Sequence, residues 1–176
     1  LGLDNYSLLT SHVLVPPAME AILSDPDNKV DAFLAAGHVC TIMGLDEYYP
    51  IAEKYRVPII VTGFEPADLL LGILMAVQQL EQGTWKVENP YNRYVQREGN
   101  RMAKESLEDV FTRSDRNWRG LGTIPQSGYE VHPRYNQYNA RLRFGLMPAT
   151  HETPGRCISG AIMRGQQKPP QCPLFG

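Results

Sequence analysis

The sequence predicts an α/β fold in which helices cover a parallel sheet, followed by a smaller α+β region. Its first half alternates short apolar segments with segments of helical spacing, in the order β-α-β-α-β-α that is typical of parallel sheets. Residues 57–62 form a nearly unbroken apolar run, as expected for a strand that is buried on both faces. A chain of 176 residues, 43% hydrophobic and 20% charged, is long enough to bury such a core.

Three strands are predicted in the first half of the chain. The first is made of residues 6–10 and 13–15, the second of residues 30–34, and the third of residues 57–62. Each is rich in apolar or β-branched side chains and is bounded by turn-forming residues. A loop is expected after the second strand, at residues 35–40.

Helices are predicted after each of these strands. The first covers residues 18–23, and the second runs from a cap at Asp46 through Lys54. The third begins at Pro66 and ends at Gly83. Its apolar residues are spaced for one helix face, which predicts that this face packs on the core; they are Leu69, Leu70, Ile73, Leu74, Val77 and Leu80.

The second half has a different pattern, which predicts a separate α+β region. A strand is expected at residues 85–95 and a helix at 100–111. A hairpin with a polar turn at residues 125–128 is expected at 118–131, and a last helix at 133–144. From Gly145 onward the chain is predicted to be irregular, because glycine and proline are frequent there.

Charge divides the chain near Gly83. Residues 1–83 carry three basic and eleven acidic side chains, whereas residues 84–176 carry fourteen basic and eight acidic ones. This predicts domains at 1–83 and 84–176. The arginines of the second half alternate with acidic residues, which favours a mixed surface over a nucleic-acid site.

Composition and missing motifs make four classes of protein less probable. The longest apolar run, residues 69–77, is too short for a membrane span and contains Gly72. Three widely spaced cysteines do not form a disulfide framework, which favours a cytoplasmic protein. No phosphate-binding glycine motif and no Gly-x-Ser-x-Gly motif is present, so nucleotide-binding and hydrolase assignments have no motif behind them.

Polar side chains follow the predicted strands, where α/β proteins usually bind ligands. The three loops are residues 10–12, 37–40 and 63–68, and their candidate site residues are His38, Glu65 and Asp68. Imidazole titrates near neutral pH, and two carboxylates can serve as acids or bases. The simpler interpretations are a surface histidine and carboxylates that stabilise a helix N-terminus.

Two further cysteines, Cys157 and Cys172, lie in the C-terminal segment rich in glycine and proline. A proline follows Cys172, as in some iron–sulfur proteins. Two thiolates are too few for a cluster that needs four, so this is a weak metal signal. Cys40 is flanked by apolar residues and is predicted to be a buried, inert thiol.

Several stretches together resemble the HypD family of [NiFe]-hydrogenase maturation proteins. They cover almost the whole chain in the family's order, and the Gly-Phe-Glu-Pro-x-Asp and Cys-Pro-Leu-Phe-Gly motifs are distinctive. The matching stretches are residues 12–17, 31–39, 61–70, 87–89 with Tyr91 and Arg93, 118–122, and 157–176. The resemblance implies the C-terminal half of such a protein, truncated at both ends.

The resemblance implies a maturation scaffold on which the Fe(CN)2CO group of the hydrogenase is assembled with HypC and HypE partners, rather than a conventional metabolic enzyme. It also implies a [4Fe-4S] cluster, bound in the family by a Cys-x14-Cys-x6-Cys-x16-Cys pattern. Cys157 and Cys172 match the first two ligands, so the isolated chain is expected to hold little iron. His38, Glu65 and Asp68 match positions at an interdomain cleft.

This chain departs from the family pattern at three positions. Ala36 stands where proline is usual, Cys40 replaces a usual serine, and Ser159 stands where many members have a second cysteine. Cys40 is therefore not transferred as a ligand. Two alternatives remain open: an α/β enzyme domain that binds a small anion at residues 37–39 and 63–68 without a cluster, and an interaction module that uses the basic second half.

Overall fold

The computed structural model describes residues 2–147 and 155–175. Its described residues divide into two compact units. The sheet unit is Asn28–Glu105, and the hairpin unit combines Leu1–Asp27 with Ser106–Gly176. The division at residue 83 that the charges suggest does not coincide with this spatial split and stays a prediction.

The strands and the helices of the described residues are each numbered in chain order. The strands are β1 (Phe33–Ala36), β2 (Ile59–Thr62), β3 (Val87–Glu88), β4 (Phe111–Trp118) and β5 (Gly122–Val131). The α-helices are α1 (Val15–Leu23), α2 (Gly37–Met43), α3 (Tyr48–Tyr55), α4 (Pro66–Gln82), α5 (Arg101–Val110), α6 (Ala140–Arg143) and α7 (Ser159–Met163). Short 3-10 helices cover Pro133–Tyr138 and Pro169–Gln171.

The sheet unit is built on a parallel three-stranded sheet in the order β1-β2-β3. Its central strand β2 is fully buried, and Ile59, Ile60 and Val61 have no solvent exposure. The apolar run in the sequence is therefore a two-sided core strand, and the α/β prediction is confirmed for this sheet.

The first predicted strand is wrong. Residues 6–15 contribute only isolated bridges, from Leu8 to Asn139 and from Val13 to Gly128, and both lie in the hairpin unit. The sheet takes β3 as its third strand instead. Residues 10–12 therefore lie in the hairpin unit and not in the unit that contains the sheet edge. The prediction failed because the bridging partners are distant in sequence, and a local pattern does not reveal them.

The predicted loop at residues 35–40 is also wrong, because β1 passes directly into α2 at Gly37. The hydroxyl of Thr41 donates to the carbonyl of Gly37 at 3.0 Å, within the first turn. Cys40 lies inside this helix, is fully buried and is hydrogen bonded to Tyr48 at 3.9 Å. Burial raises the pKa of its thiol, as expected for an inert core cysteine.

Helix α4 packs on the sheet through the face opposite to the predicted one. Its buried residues are Gly72, Ala76 and Gln79. A Cβ at Gly72 would collide with the side chain of Thr62, so only a residue without a side chain lets the helix approach the sheet this closely. Most of the large apolar residues of α4 lie on the other side and are exposed, whereas Leu69 and Met75 are partly buried.

The hairpin unit is organised by the antiparallel pair β4 and β5, with an irregularity between Ser114 and Arg116. A hairpin is present as predicted, but its predicted turn at residues 125–128 is wrong. The chain turns at residues 119–121, between β4 and β5, and residues 125–128 lie inside β5. Arg116 pairs with Glu130 at 2.7 Å, and the hydroxyl of Thr10 donates to the same carboxylate at 3.0 Å.

The predicted helix at residues 133–144 is a 3-10 turn followed by the four-residue α6. The C-terminal segment is less irregular than predicted, since α7 and a second 3-10 turn lie within it. Residues 148–154 of that segment lie outside the described residues. In the described parts of the chain, none of the helices is long and apolar enough to cross a membrane.

Candidate functional site

Two neighbouring strands bring the candidate residues of the sheet unit to one edge. Ala36 is paired with Thr62 at the ends of β1 and β2, so Gly37 and Gly63 leave the sheet side by side. His38 follows the first glycine, and the segment that leads into α4 follows the second. The carboxyl edge of a parallel sheet is where α/β proteins usually place a site.

The ring of Tyr91 explains why both positions are glycine. A Cβ at Gly37 would lie 2.5 Å from Cδ1 of Tyr91 and 2.6 Å from the carbonyl oxygen of Thr62. A Cβ at Gly63 would lie 2.7 Å from Cε2 of the same ring and closer still to Oδ2 of Asp68, so the carboxylate also excludes a side chain there. The ring of Tyr91 thus packs against the backbone of both glycines at this edge of the sheet.

His38 and Glu65 are exposed at this edge. The His38 ring lies against Phe64, with 5.1 Å between ring centroids, and Phe64 is itself 66% exposed. Glu65 precedes the first turn of α4 but makes no side-chain capping bond. Neither side chain is shielded from solvent, so both are available to a ligand.

Asp68 differs from these two because its carboxylate has a cationic partner. Its Oδ2 accepts a hydrogen bond from a guanidinium nitrogen of Arg93 at 2.6 Å, and only 15% of its side chain is exposed. This bond raises the pKa of Arg93. The guanidinium also stacks on Tyr91 and Tyr94, with its carbon 4.5 Å and 5.5 Å from the two ring centroids.

Sequence reasoning did not place Arg93 among the site residues. The sequence did contain a sign of its importance, since Tyr91 and Arg93 belong to one of the stretches that match the family. The ion pair between Arg93 and Asp68 could not be seen in the sequence, because the two residues are 25 positions apart. This edge of the sheet therefore combines four groups: the exposed His38 imidazole, the exposed Glu65 carboxylate, the Asp68 carboxylate paired with Arg93, and the Tyr91 ring. Such a set can exchange protons and orient a polar ligand.

The second candidate group lies in the hairpin unit, where Cys157 precedes α7. Its thiol is half-buried and is hydrogen bonded to the Ser159 hydroxyl at 3.4 Å. Hydrogen bonds to Ser159 lower the pKa of Cys157, and the charge of Arg119 lowers it further. A lowered thiol pKa favours the thiolate, the form that binds metals.

Backbone contact holds the Arg119 turn beside Cys157. Gly120 and Gly160 approach so closely that a Cβ on either would collide with the backbone of the other. Arg164, at the end of α7, pairs with Asp25 at 2.6 Å. Helix α7, which follows Cys157, is thereby held against the β4–β5 turn and against the segment that follows α1.

Cys172 follows the second 3-10 turn, and its amide donates to the carbonyl of Pro169 at 3.0 Å. Its thiol is free and half-buried. Among residues 2–147 and 155–175, no group of three or more His, Cys, Asp or Glu side chains is placed to hold a metal ion. Cys157 and Cys172 supply two thiols, whereas a [4Fe-4S] cluster requires four ligands.

Comparison with known proteins identifies relatives along the entire chain. A HypD profile, described as the hydrogenase formation hypA family, matches residues 1–176. The hydrogenase expression/formation protein HupD of Azotobacter chroococcum is 42% identical, covering 100% of this chain and 48% of the relative.

Two hydrogenase maturation factors named HypD are similarly close. The Escherichia coli protein is 41% identical over 98% of this chain and 47% of its own length. The Rhodobacter capsulatus protein is 40% identical over 99% of this chain and 48% of its own length. The chain thus spans about half the length of the curated relatives that it matches.

Proposed function

This chain belongs to the HypD family, and on that premise we propose that it is the part of a hydrogenase maturation factor that supports assembly of the Fe(CN)2CO group. In this proposal the iron group is cargo, and the chain contributes a polar edge and two cysteines. HypC-type and HypE-type proteins are the proposed partners, and the cytoplasm is the proposed location.

The observation that carries the proposal is the grouping of residues at the carboxyl edge of β1 and β2. His38 lies in the first turn of α2, and Glu65 and Asp68 lie at the start of α4. The register of β1 and β2 brings these two helix starts together. The Asp68–Arg93 pair holds one carboxylate in place, while His38 and Glu65 stay open to solvent. A fixed hydrogen-bond acceptor beside an exposed proton carrier suits binding and protonation of a small polar group.

Cys157 and Cys172 would hold part of a [4Fe-4S] cluster. A bound cluster supplies one-electron redox chemistry. The protein's own contribution is to favour the thiolate of Cys157 through Ser159 and Arg119 and to fix the loop through the Gly120–Gly160 contact. Two further thiolates would have to come from outside the given sequence, since its one remaining cysteine, Cys40, is buried inside α2.

The alternative of a small anion bound against the two glycine turns is less well supported. Tyr91 occupies the space beside the backbone of Gly37 and Gly63, where a phosphate cradle would need room. The cation nearest these turns, Arg93, is already paired with Asp68. We therefore favour the scaffold function.

The test is a chimera that uses the entire chain in place of the matching half of Escherichia coli HypD. In a strain without its own HypD, the chimera should restore hydrogenase activity, and the Asp68→Asn and Cys157→Ser variants should lose at least nine-tenths of it. Glu53→Gln, which changes an exposed carboxylate of α3, is the matched control and should retain full activity. A well-expressed chimera without activity, or full activity in both site variants, would contradict the proposal.

A further inference from the structure

Helix α4 exposes a continuous apolar surface on the side away from the sheet. Leu70, Ile73, Leu74 and Val77 follow the i, i+3, i+4, i+7 spacing of one helix face and are between 44% and 68% exposed. Leu71 and Leu80 widen this surface and are 45% and 44% exposed. We refer to these six residues as the α4 seam.

The α4 seam differs from scattered surface leucines because its large apolar side chains lie next to one another on one helix. Soluble monomers seldom expose adjacent large apolar side chains in such number, and a patch of this kind usually marks an interface. The inward face of α4 uses glycine and alanine, so the bulky side chains are not needed for packing on the sheet. Their placement on the outer face requires a second partner to explain it.

The sheet beside α4 is also open. β1 is an edge strand, and among the described residues no other strand pairs with its outer side. Leu34 on β1 is 41% exposed, and its Cδ2 lies 3.2 Å from the Cβ position of Gly72. Gly72 lies on the inward face of α4, so this contact places the helix against β1, while the seam lies on its other side. The sheet unit thus exposes two features among the described residues, the outer edge of β1 and the α4 seam.

The lengths of the relatives indicate what covers this surface. HypD and HupD proteins about 40% identical to this chain contain about as much polypeptide again outside the matched region. We propose that the α4 seam and the β1 edge form an interface for that other half of a HypD-family polypeptide. Docking there would continue the sheet unit and remove the seam from water.

Co-expression with a defined partner tests this interface. The probe is the part of Escherichia coli HypD that this chain does not match, produced together with the complete tagged chain. The expected result is a 1:1 complex by light scattering, with α4 amides protected from hydrogen exchange. Leu70→Glu with Leu74→Glu should reduce the retained partner roughly tenfold or more, because charges would be buried in the contact.

A matched control separates charge from position. Met147 is 85% exposed and belongs to the hairpin unit, so Met147→Glu should retain the partner fully. Circular dichroism establishes that each variant is folded. The proposal is overturned if the double variant retains the partner undiminished, or if the folded parent chain retains none. It is also overturned if the chain alone is a dimer that the double variant dissociates, since a second copy would then occupy the seam. All these readouts concern association and are independent of hydrogenase maturation.

Discussion

Gly37→Ala should destabilise the sheet unit although it adds only one methyl group. The new Cβ would lie 2.5 Å from Tyr91 and 2.6 Å from the carbonyl oxygen of Thr62, which belongs to the fully buried β2. Overpacking of this kind costs about 1–3 kcal/mol. A gain of up to about 1 kcal/mol in helix propensity offsets part of it, because Gly37 is the first residue of α2. The free energy of unfolding should fall by about 1–2 kcal/mol.

Urea unfolding measures this loss. With an m-value of about 2 kcal/mol/M, the midpoint should fall by about 0.5–1 M. Hydrogen exchange in β2 should accelerate correspondingly, which locates the effect in the sheet unit. Gly155→Ala is the matched control, because a Cβ there meets nothing within 4 Å and its φ is not positive. Its midpoint should stay within experimental error of the parent.

A double-mutant cycle with Tyr91→Ala identifies the clash. Without the ring, a Cβ at residue 37 meets only the Thr62 carbonyl, so the same substitution should cost less, with a coupling of at least about 0.5 kcal/mol. An unchanged midpoint for Gly37→Ala, or an equal cost with and without the Tyr91 ring, would refute the packing argument.

Three further predictions concern the core, a buried ion pair and a thiol. Ile60→Ala should cost about 2–5 kcal/mol in urea unfolding, because Ile60 is fully buried in the central strand, and a smaller loss would mean that the sheet closes around the cavity. Burial raises the pKa of Glu130, but the hydrogen bonds from Arg116 and Thr10 outweigh it and leave the pKa below its usual value. Glu130 therefore stabilises the fold above the ordinary carboxyl pKa. Its advantage over Glu130→Gln, about 2 kcal/mol at neutral pH, should shrink as the pH falls below that ordinary pKa and through the lowered pKa of the folded state; an advantage independent of pH would contradict this. Cys157 in metal-free protein should react with iodoacetamide at lower pH than an ordinary thiol, and Ser159→Ala should move the pH–rate profile upward; identical profiles would contradict the assigned hydrogen bond.

Local sequence was sufficient wherever one segment contains its own explanation. The apolar run of β2 is buried on both sides because every residue in it is compatible with a core. Pro66 and Gly83 correctly marked the ends of α4, since each has a backbone preference that does not depend on distant residues. The family motifs also allowed His38, Glu65 and Asp68 to be singled out, although their roles stay predictions.

Sequence reasoning failed where a segment's neighbours decide its state. Residues 6–10 have strand composition, but composition does not specify a partner, and the bridge at Leu8 joins a residue far along the chain. The apolar spacing of α4 identified a coherent face correctly. It did not say whether that face meets this sheet or another surface, because periodicity carries no information about the direction in which the face points.

The residues of the candidate edge show the same division. Sequence alone determined that glycines follow two parallel strands and that acids begin a helix. Only the tertiary structure decided that Tyr91 fills the space above both glycines and that Arg93 holds Asp68 at 2.6 Å. These contacts join residues 25 or more positions apart, and their geometry depends on strand register and on the close approach of α4 at Gly72. Local propensity specifies the elements, whereas steric fit between distant elements specifies the site.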